Sequence, residues 1–485
     1  MGPHHGWEHI PSLRRIIIHS EARYDIMQSK STASPFWRPF FRLLLVIALQ
    51  NVIVYGVSLL DNIMLGGYTE LALSGVALVN QIQFLLQMLI GGVADGVIVL
   101  SSRFWGEKNI ENVKKAAAVA MQVALIIASV LFVCAFFFPG TVLGILTDKP
   151  HVIAEGAKYM RIICFTYFFF ASTQVLLGVL RSVETAWIGF LNSTAALCIN
   201  GVLNYALIYG RLGAPELGVR GAAIATLVSR IAEFAIVAVY LFIFDKKIRA
   251  KLRDVFQWRP DGALYRMFMR VSLPVVLSGG SWGVAMALQT AILGRMTDSV
   301  ISANSIATTV FSIMSVLLYG SATASSVMIG KTIGEWKDSG RTEADCMAQL
   351  KRRVNRMQFL FLGLGVATGA MLYAMKDVII DAYNISPETR ALALTFMTVL
   401  SVTVVGTSYQ MPCLTGIVRG GGDTKFVLFN DIIFMWGIVL PSSFLAAFVL
   451  CLPPVYVFCC LKADQILKCF VAAVKVNRFR FVKKF

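Results

Sequence analysis

The chain has 485 residues, of which 57% are apolar types and only 15% are charged, and its mean hydropathy is +0.70. A soluble fold of this size would lack the polar residues that its surface needs, so this composition indicates a protein covered by lipid. The net charge of +17 comes from short basic clusters between apolar segments, which indicates membrane topology and argues against a nucleic-acid partner.

The first apolar segment opens a series of twelve, each long enough to cross a membrane as a helix of about 20 residues. In chain order the predicted spans are 41–66, 73–100, 116–138, 161–181, 187–209, 219–244, 268–294, 302–329, 354–375, 391–418, 426–450 and 453–474. The sequence therefore predicts an all-α membrane protein with about twelve transmembrane helices.

The links between the predicted spans alternate in basic charge. One side carries about 35 of the 44 Lys and Arg residues, and such an excess is typical of cytoplasmic loops. Both termini belong to this basic side, as an even number of helices requires. We therefore expect a multi-pass protein of the bacterial inner (cytoplasmic) membrane, with both termini in the cytoplasm.

An internal repeat divides the chain into two six-helix halves. Residues 45–107 align onto 273–335 without gaps, and these landmarks keep their register: Leu65-Gly66 with Leu293-Gly294, Ser74 with Ser302, Gly92 with Gly320, and Gly106-Glu107 with Gly334-Glu335. Halves that enter the membrane in the same direction are related by a pseudo-twofold axis along the membrane normal, an arrangement typical of transporters. The predicted domains are a cytoplasmic N-terminal tail at 1–38, an N-lobe at 39–244, a cytoplasmic linker at 245–267, a C-lobe at 268–475 and a cytoplasmic C-terminal tail at 476–485.

Ionisable side chains inside a span are costly and therefore mark candidate functional sites. Asp61 lies in the outer half of helix 1, where burial would favour proton uptake, while its ionised form could bind sodium. Asn200 and Asn204 lie one turn apart on helix 5, so their amide oxygens could join Asp61 in a cation site or bond between helices. Sodium at these three residues is the one metal site that the sequence suggests.

Secondary candidates lie on helices 1 and 6. Arg230 and Glu233 stand mid-span in helix 6 at i, i+3, a spacing that favours an ion pair, although Glu233 could instead relay protons or bind substrate. Gln50 and Asn51 in helix 1 are uncharged polar residues that could line a cavity. In the second half Gln289 takes the place of the helix 1 aspartate, and helix 10 has no acid in its interior. The titratable chemistry is therefore predicted to lie in the N-terminal half.

No catalytic or cofactor motif is present in the sequence. Gly330-Lys331-Thr332 resembles the end of a phosphate-binding loop, but Ser325 occupies a position that requires glycine. The nine cysteines have no zinc or disulfide spacing, and all five histidines lie outside the predicted spans. We therefore predict that the chain is not an enzyme and holds no cofactor.

Several motifs stand in order along both halves of the chain. They are Leu60 to Gly66, Phe104-Trp105-Gly106, Asn200 to Ser229, Pro274, Gly330 to Gly334, Arg419 to Thr424, and Pro441. Together they resemble the multidrug and toxic compound extrusion family, known as MATE transporters. The resemblance implies two six-helix lobes in a V, and export of organic, often cationic or amphipathic compounds in exchange for protons or sodium. It also implies that Asp61 and Asn200 match coupling residues of the family, while Asn204 stands where many members have an aspartate.

The resulting prediction is a cation-coupled antiporter for multidrug efflux that works by alternating access, as a monomer. Its expected partners are small-molecule substrates, a coupling cation (proton or sodium) and membrane lipid. Two alternatives stay open. One is a flippase for lipid-linked precursors or polysaccharides, which would share the two-lobe layout. The other is a non-transporting membrane receptor or enzyme, which would not explain the repeat.

Overall fold

The fold is taken from a computed structural model, which describes residues 36–147, 149–255, 262–336, 340, 342–381 and 385–483. These residues form helices joined by short turns, and none of them belongs to a β-strand. The prediction of an all-α fold is therefore confirmed. Parts of the predicted tails and linker, at 1–35, 256–261 and 484–485, lie outside the described residues.

Twelve helical spans follow one another in the described part of the chain, and they are numbered α1 to α12. Their bounds are α1 Trp37–Gly66, α2 Glu70–Gly106, α3 Ile110–Phe137, α4 Pro150–Ile163 with Thr166–Ser182, α5 Trp187–Tyr209, α6 Val219–Phe244, α7 Gly262–Gly294, α8 Asp298–Met314 with Val316–Glu335, α9 Glu343–Asp381, α10 Pro387–Val418, α11 Thr424–Val449 and α12 Pro454–Asn477. Several helices run past the predicted apolar spans, because a helix can continue into the polar loops.

Within the described residues, nine helices are long and apolar enough to cross a membrane. The number rises to eleven if each of the two bent helix pairs, α4 and α8, is counted as one span. The two pairs bend by 52° and 45° at their breaks. The remaining helix, α12, has 24 residues, but Lys462, Asp464, Lys468 and Lys475 make it less apolar. Charged side chains are costly in a membrane helix, so their presence in α12 points to a function.

Equivalent threonines begin the second helix of each half. Thr69 accepts a hydrogen bond from the Ala72 N–H at 3.1 Å at the start of α2, and Thr297 accepts one from the Val300 N–H at 3.4 Å at the start of α8. Such caps satisfy N–H groups that have no partner within the helix. The repeat alignment pairs Thr69 with Thr297 and Ala72 with Val300, so both halves begin this helix in the same way.

Close helix packing joins the two halves. A Cβ atom on Gly92 of α2 would lie 2.6 Å from the Cα of Val276 on α7, and one on Gly320 of α8 would lie 3.3 Å from the backbone nitrogen of Ala48 on α1. The first approach is possible only for glycine, which lets two helix backbones meet. The repeat alignment pairs Gly92 with Gly320 and Val276 with Ala48, so the contact is present twice, as a pseudo-twofold relation requires.

Helix α7 contributes to the apolar cores of both halves. Its first part, with Leu264, Phe268 and Val271, is buried in the core of the N-terminal half. Further along, Ala285 and Leu293 are buried in the core of the C-terminal half. The packing of one half therefore depends on the other through α7.

Candidate functional site

A chain of hydrogen bonds links three helices of the N-terminal half. Asp61 of α1 accepts a hydrogen bond on Oδ1 from Asn204 Nδ2 of α5 at 2.5 Å. The same Nδ2 donates to Asn200 Oδ1 at 3.0 Å, and Asn200 Nδ2 donates to Thr226 Oγ1 of α6 at 3.4 Å. We call these four residues the N-half site. The structure thus brings together the three residues that were predicted to form a cation site.

The N-half site is largely shielded from solvent. Asn200 and Asn204 are buried, Asp61 is half-buried, and Asn204 Oδ1 is buried without a hydrogen-bond donor among the described residues. A buried acceptor without a partner costs roughly 1–3 kcal/mol, so this oxygen is unfavourable until something binds it. Carboxylate and amide oxygens are ligands of hard cations, and a carboxylate also takes a proton. The residues present therefore fit either coupling cation.

Helix α6 places two of the secondary candidates beside the N-half site. Arg230 Nη1 donates to Glu233 Oε2 at 2.7 Å, and the Arg230 guanidinium lies 5.2 Å from the centre of the Phe170 ring. Arg230 follows Thr226 by one helical turn, so both lie on the same face of α6, and Arg230 interacts electrostatically with Asp61. The charge of the buried Glu233 is thus balanced, and Arg230 adds positive charge near Asp61.

The other two secondary candidates lie elsewhere on α1. Gln50 is buried, and its Oε1 accepts a hydrogen bond from Arg181 Nη2 of α4 at 3.1 Å, while Asn51 is half-buried. Gln50 and Asp61 are about three helical turns apart, or roughly 16 Å along the axis. The structure therefore does not bring Gln50 and Asn51 into the N-half site.

A second group of charged side chains, which the sequence analysis missed, lies in the C-terminal half. Lys468 Nζ of α12 lies 3.0 Å from Asp431 Oδ1 of α11 and 3.4 Å from Asp464 Oδ2 of α12. Ser278 Oγ of α7 donates to the other oxygen of Asp431, Oδ2, at 2.6 Å. We call Ser278, Asp431, Asp464 and Lys468 the C-half cluster.

The prediction that the titratable chemistry lies in the N-terminal half did not take this cluster into account. It considered only helices 7 and 10 of the C-lobe, and there Gln289 Nε2 indeed lies 3.2 Å from the sulfur of Met435 and not beside an acid. A clear signal was available in the sequence. Asp431, Asp464 and Lys468 all lie inside the last two predicted spans, where ionisable residues are rare and usually functional.

The MatE family model matches residues 47–206 and 281–445. These two segments cover more than half of the chain, and one falls in each half of the internal repeat. The chain belongs to the MatE family. Members of this family are multidrug efflux transporters of the MATE type and not enzymes, so the family resemblance inferred from the motifs is confirmed.

Known relatives of this MatE protein match it along most of its length. The probable multidrug resistance protein NorM of Bacillus cereus is 23% identical over 429 residues, which cover 87% of this chain and 90% of the relative. The uncharacterized transporter YisQ of Bacillus subtilis is 24% identical over 397 residues, which cover 79% of this chain and 82% of the relative. The similarity thus includes both halves of the repeat.

Solved structures show the same fold. An outward-facing multidrug resistance MATE family transporter of the MOP superfamily matches with a TM-score of 0.80 and 19% identity, over 93% of this chain and 99% of its own. A MOP superfamily transporter from Pyrococcus furiosus, in which reverse polarity of the binding pocket suggests a different function, matches with a TM-score of 0.81 and 19% identity, over 94% of this chain and 100% of its own. At this identity the likeness establishes the twelve-helix fold.

In this MatE chain, ion pairs join the two halves near the helix ends that connect to the basic loops. We call this end of the helices the basic end. Arg419 Nη1, just after α10, lies 2.8 Å from Asp95 Oδ2 of α2. Lys331 of α8 pairs with Glu184 of the loop after α4. Both pairs cross from one half to the other, so separating the halves at the basic end requires breaking them.

Proposed function

We propose that this MatE chain is a cation-coupled antiporter that exports organic, often cationic or amphipathic compounds in exchange for protons or sodium. The proposal rests on the Asp61 carboxylate, which Asn204 holds inside a bundle of membrane-spanning helices. The bilayer makes an ionisable group at such a position costly, so its presence favours a role in moving ions or protons. Family membership and the NorM relative support efflux of drug-like compounds.

Two charge states of Asp61 supply the proposed coupling. Ionised Asp61 is a strong acceptor for the Asn204 N–H, because hydrogen bonds to a charged group are roughly twice as strong as neutral ones. A proton on Asp61 weakens that bond, and sodium between Asp61 and Asn204 Oδ1 replaces it. Asp61 is on α1 and Asn204 is on α5, so cation binding changes how these two helices are joined. It thereby shifts the equilibrium between two packing arrangements of the N-terminal half.

We propose alternating access as the transport cycle. The pairs Asp95–Arg419 and Lys331–Glu184 hold the halves together at the basic end, and they would separate when that end opens. A ligand shifts such an equilibrium only by its difference in affinity for the two states. Cation binding at Asp61 supplies this difference, so the inward flow of the cation drives the substrate out.

The proposed orientation puts the basic end, with both termini, in the cytoplasm of a bacterium, and the chain in the inner membrane as a monomer. The support is the excess of Lys and Arg in the loops at that end, together with the bacterial relatives. The proposed domains remain the tails at 1–38 and 476–485, the lobes at 39–244 and 268–475, and the linker at 245–267.

Ethidium and cation fluxes in proteoliposomes test this function. A proton or sodium gradient should drive ethidium across the membrane in the wild type, and Asp61→Asn should lose this dependence while it still binds ethidium. Asp381→Asn is the matched control, because its exposed carboxylate pairs with Arg390 away from the N-half site. An unchanged gradient dependence in Asp61→Asn would contradict the mechanism. Absence of cation movement with any dye would favour a flippase for lipid-linked precursors.

A further inference from the structure

An open groove of about 480 Å³ lies between α11 and α12 at the basic end. Apolar side chains line one part of it and basic side chains the other, and they include Phe426, Phe470, Val474, Lys475, Arg478 and Arg480. The apolar residues belong to the membrane-spanning helices, whereas the two arginines follow the last residue of α12, Asn477. A ligand that matches both parts has an anionic head and an apolar chain. We propose that this groove is a binding site for an anionic phospholipid, and we call it the lipid groove.

The basic part of the lipid groove carries more positive charge than its neighbours balance. The acid in contact with it is Asp423, whose Oδ2 lies 2.7 Å from Lys475 Nζ and 3.4 Å from Lys483 Nζ. One carboxylate between two ammonium groups leaves one positive charge, and Arg478 and Arg480 add two more. Both arginines are exposed, and no acid forms a salt bridge with either of them in the described part of the chain. The groove is therefore complementary in charge to an anionic group.

The charged groups next to the lipid groove do not cancel this excess. In the C-half cluster, two helical turns from Lys475 along α12, the two aspartates are matched by Lys468 and by Lys462, which interacts electrostatically with Asp464. On the other side, Arg103 of α2 pairs with Glu107 at 3.7 Å. Basic clusters that directly follow a membrane-spanning helix are typical of segments that contact anionic lipid headgroups.

The fold holds the segment that carries the two arginines in place. Arg478 and Arg480 lie between the end of α12 and Phe481, whose side chain is fully buried. Further along, the Lys483 N–H donates to the Gly421 carbonyl of the turn before α11 at 2.9 Å. The backbone beside the lipid groove therefore needs no further ordering when a ligand binds, which lowers the cost of binding.

The apolar part of the lipid groove continues along the outer surface of α11 and α12, away from the basic end. On α12, Phe470 is 70% exposed, and Val474, one turn nearer the basic end, is also exposed. On α11, Phe429 is 60% exposed, and Ile433, one turn further from the basic end, is exposed on the same face. An acyl chain can therefore lie along this surface while its headgroup contacts the arginines.

A phospholipid matches the lipid groove better than a free anion does. A soluble phosphate could contact Arg478 and Arg480, whose guanidinium groups suit phosphate oxygens, but it would gain nothing from the exposed Phe470. The Lys475 ammonium lies 4.0 Å from the centre of the Phe426 ring, so positive charge and apolar surface meet inside the groove. The bilayer also keeps lipid phosphates at the level of the helix ends, where these residues lie.

Thermal unfolding of the purified protein in mixed micelles tests the site. Phosphatidylglycerol should raise the unfolding midpoint of the wild type more than phosphatidylcholine does, because a ligand of the folded state stabilises it. In Arg478→Gln/Arg480→Gln this difference should largely disappear. The matched control is Arg352→Gln/Arg356→Gln, which removes two exposed arginines of α9 outside the groove and should respond like the wild type. An unchanged response of the groove variant, or an equal loss in both variants, would overturn the proposal.

Native mass spectrometry measures the bound lipid directly. Each basic side chain near an anionic membrane surface contributes about a factor of five to binding, so the affinity of Arg478→Gln/Arg480→Gln for phosphatidylglycerol should fall about 25-fold. Glycerol phosphate, which has no acyl chains, should neither bind nor raise the unfolding midpoint at the same concentration. If it stabilised the wild type as much as phosphatidylglycerol does, the groove would be a site for soluble anions, and the proposal would be overturned. Neither measurement involves a transported substrate, so both are independent of the proposed antiport.

Discussion

The N-half site and the C-half cluster occupy equivalent helices, but they are built in opposite ways. In the N-half site, Asp61 has an amide neighbour, and Asn204 Oδ1 is buried without a donor among the described residues. In the C-half cluster, both oxygens of Asp431 have partners, and two carboxylates share the buried ammonium of Lys468. The first site offers an oxygen to a cation, whereas the second already contains a cation of its own.

The duplicated scaffold thus carries a carboxylate among amides in one half and an ion-paired cluster in the other. We expect a proton or sodium to bind at the amide-rich N-half site without separating an existing ion pair. The C-half cluster joins α11 to α12 through Lys468. Because breaking a buried ion pair leaves an uncompensated charge, we expect the C-half cluster to contribute more to stability and the N-half site more to coupling.

Lys468→Met should have the largest effect, because it leaves Asp431 and Asp464 without their shared cation. Removing one partner of a buried pair typically destabilises a protein by about 3–5 kcal/mol, and thermal unfolding in detergent should show it as a lower midpoint. The loss should shrink at acidic pH, where protonation removes the repulsion between the carboxylates. Lys158→Met is the control, since Lys158 pairs with Glu155 at an exposed site far from the cluster in the chain. An equal loss in that variant would mean that the shared ion pair is not what stabilises α12.

Asn204→Asp should have a smaller effect that is confined to coupling. It places a second carboxylate against Asp61, so the pair can bind and release up to two protons where the wild-type site has one carboxylate. The ratio of protons to ethidium in proteoliposomes should rise by about one. Asn204→Ser, which adds no carboxylate, should leave the ratio unchanged. A rise in both variants would show that side-chain size, and not charge, sets the stoichiometry.

The N-half site could be inferred from the sequence because each of its parts has a local signal. Asp61 is an acid inside an apolar span, and the spacing of Asn200 and Asn204 puts them on one helix face. Only the contact between α1 and α5 could not be predicted from the sequence. The twelve helices and the two halves likewise follow from hydropathy and from landmarks such as Gly92 and Gly320.

The C-half cluster could be inferred only in part. Asp464 and Lys468 are four residues apart on α12, a spacing that predicts an i, i+4 pair. The link from Lys468 to Asp431, and the bond from Ser278 to Asp431, depend on how α7, α11 and α12 pack together. No spacing within one helix encodes that packing. The cluster as a whole therefore becomes visible only when the three helices are placed side by side.

The smallest effect is expected outside the membrane, at Asp254 in the linker. Partial burial raises the pKa of this carboxyl, but the Lys251 N–H at 3.0 Å and the Lys114 ammonium at 3.2 Å outweigh burial, so the pKa of Asp254 is lowered. A lowered pKa means that the ionised form stabilises the fold above about pH 4, and that this contribution is lost as the pH falls through the folded-state value.

Asp254→Asn should therefore lower stability by no more than about 1 kcal/mol near neutral pH, because exposed ion pairs contribute little, and added salt should reduce the difference. Thermal unfolding across pH then separates two environments. The loss in Lys468→Met should shrink at mildly acidic pH, whereas the loss in Asp254→Asn should persist down to about pH 4. If both losses followed the same pH course, burial in the membrane would not be what distinguishes the C-half cluster from an ordinary surface pair.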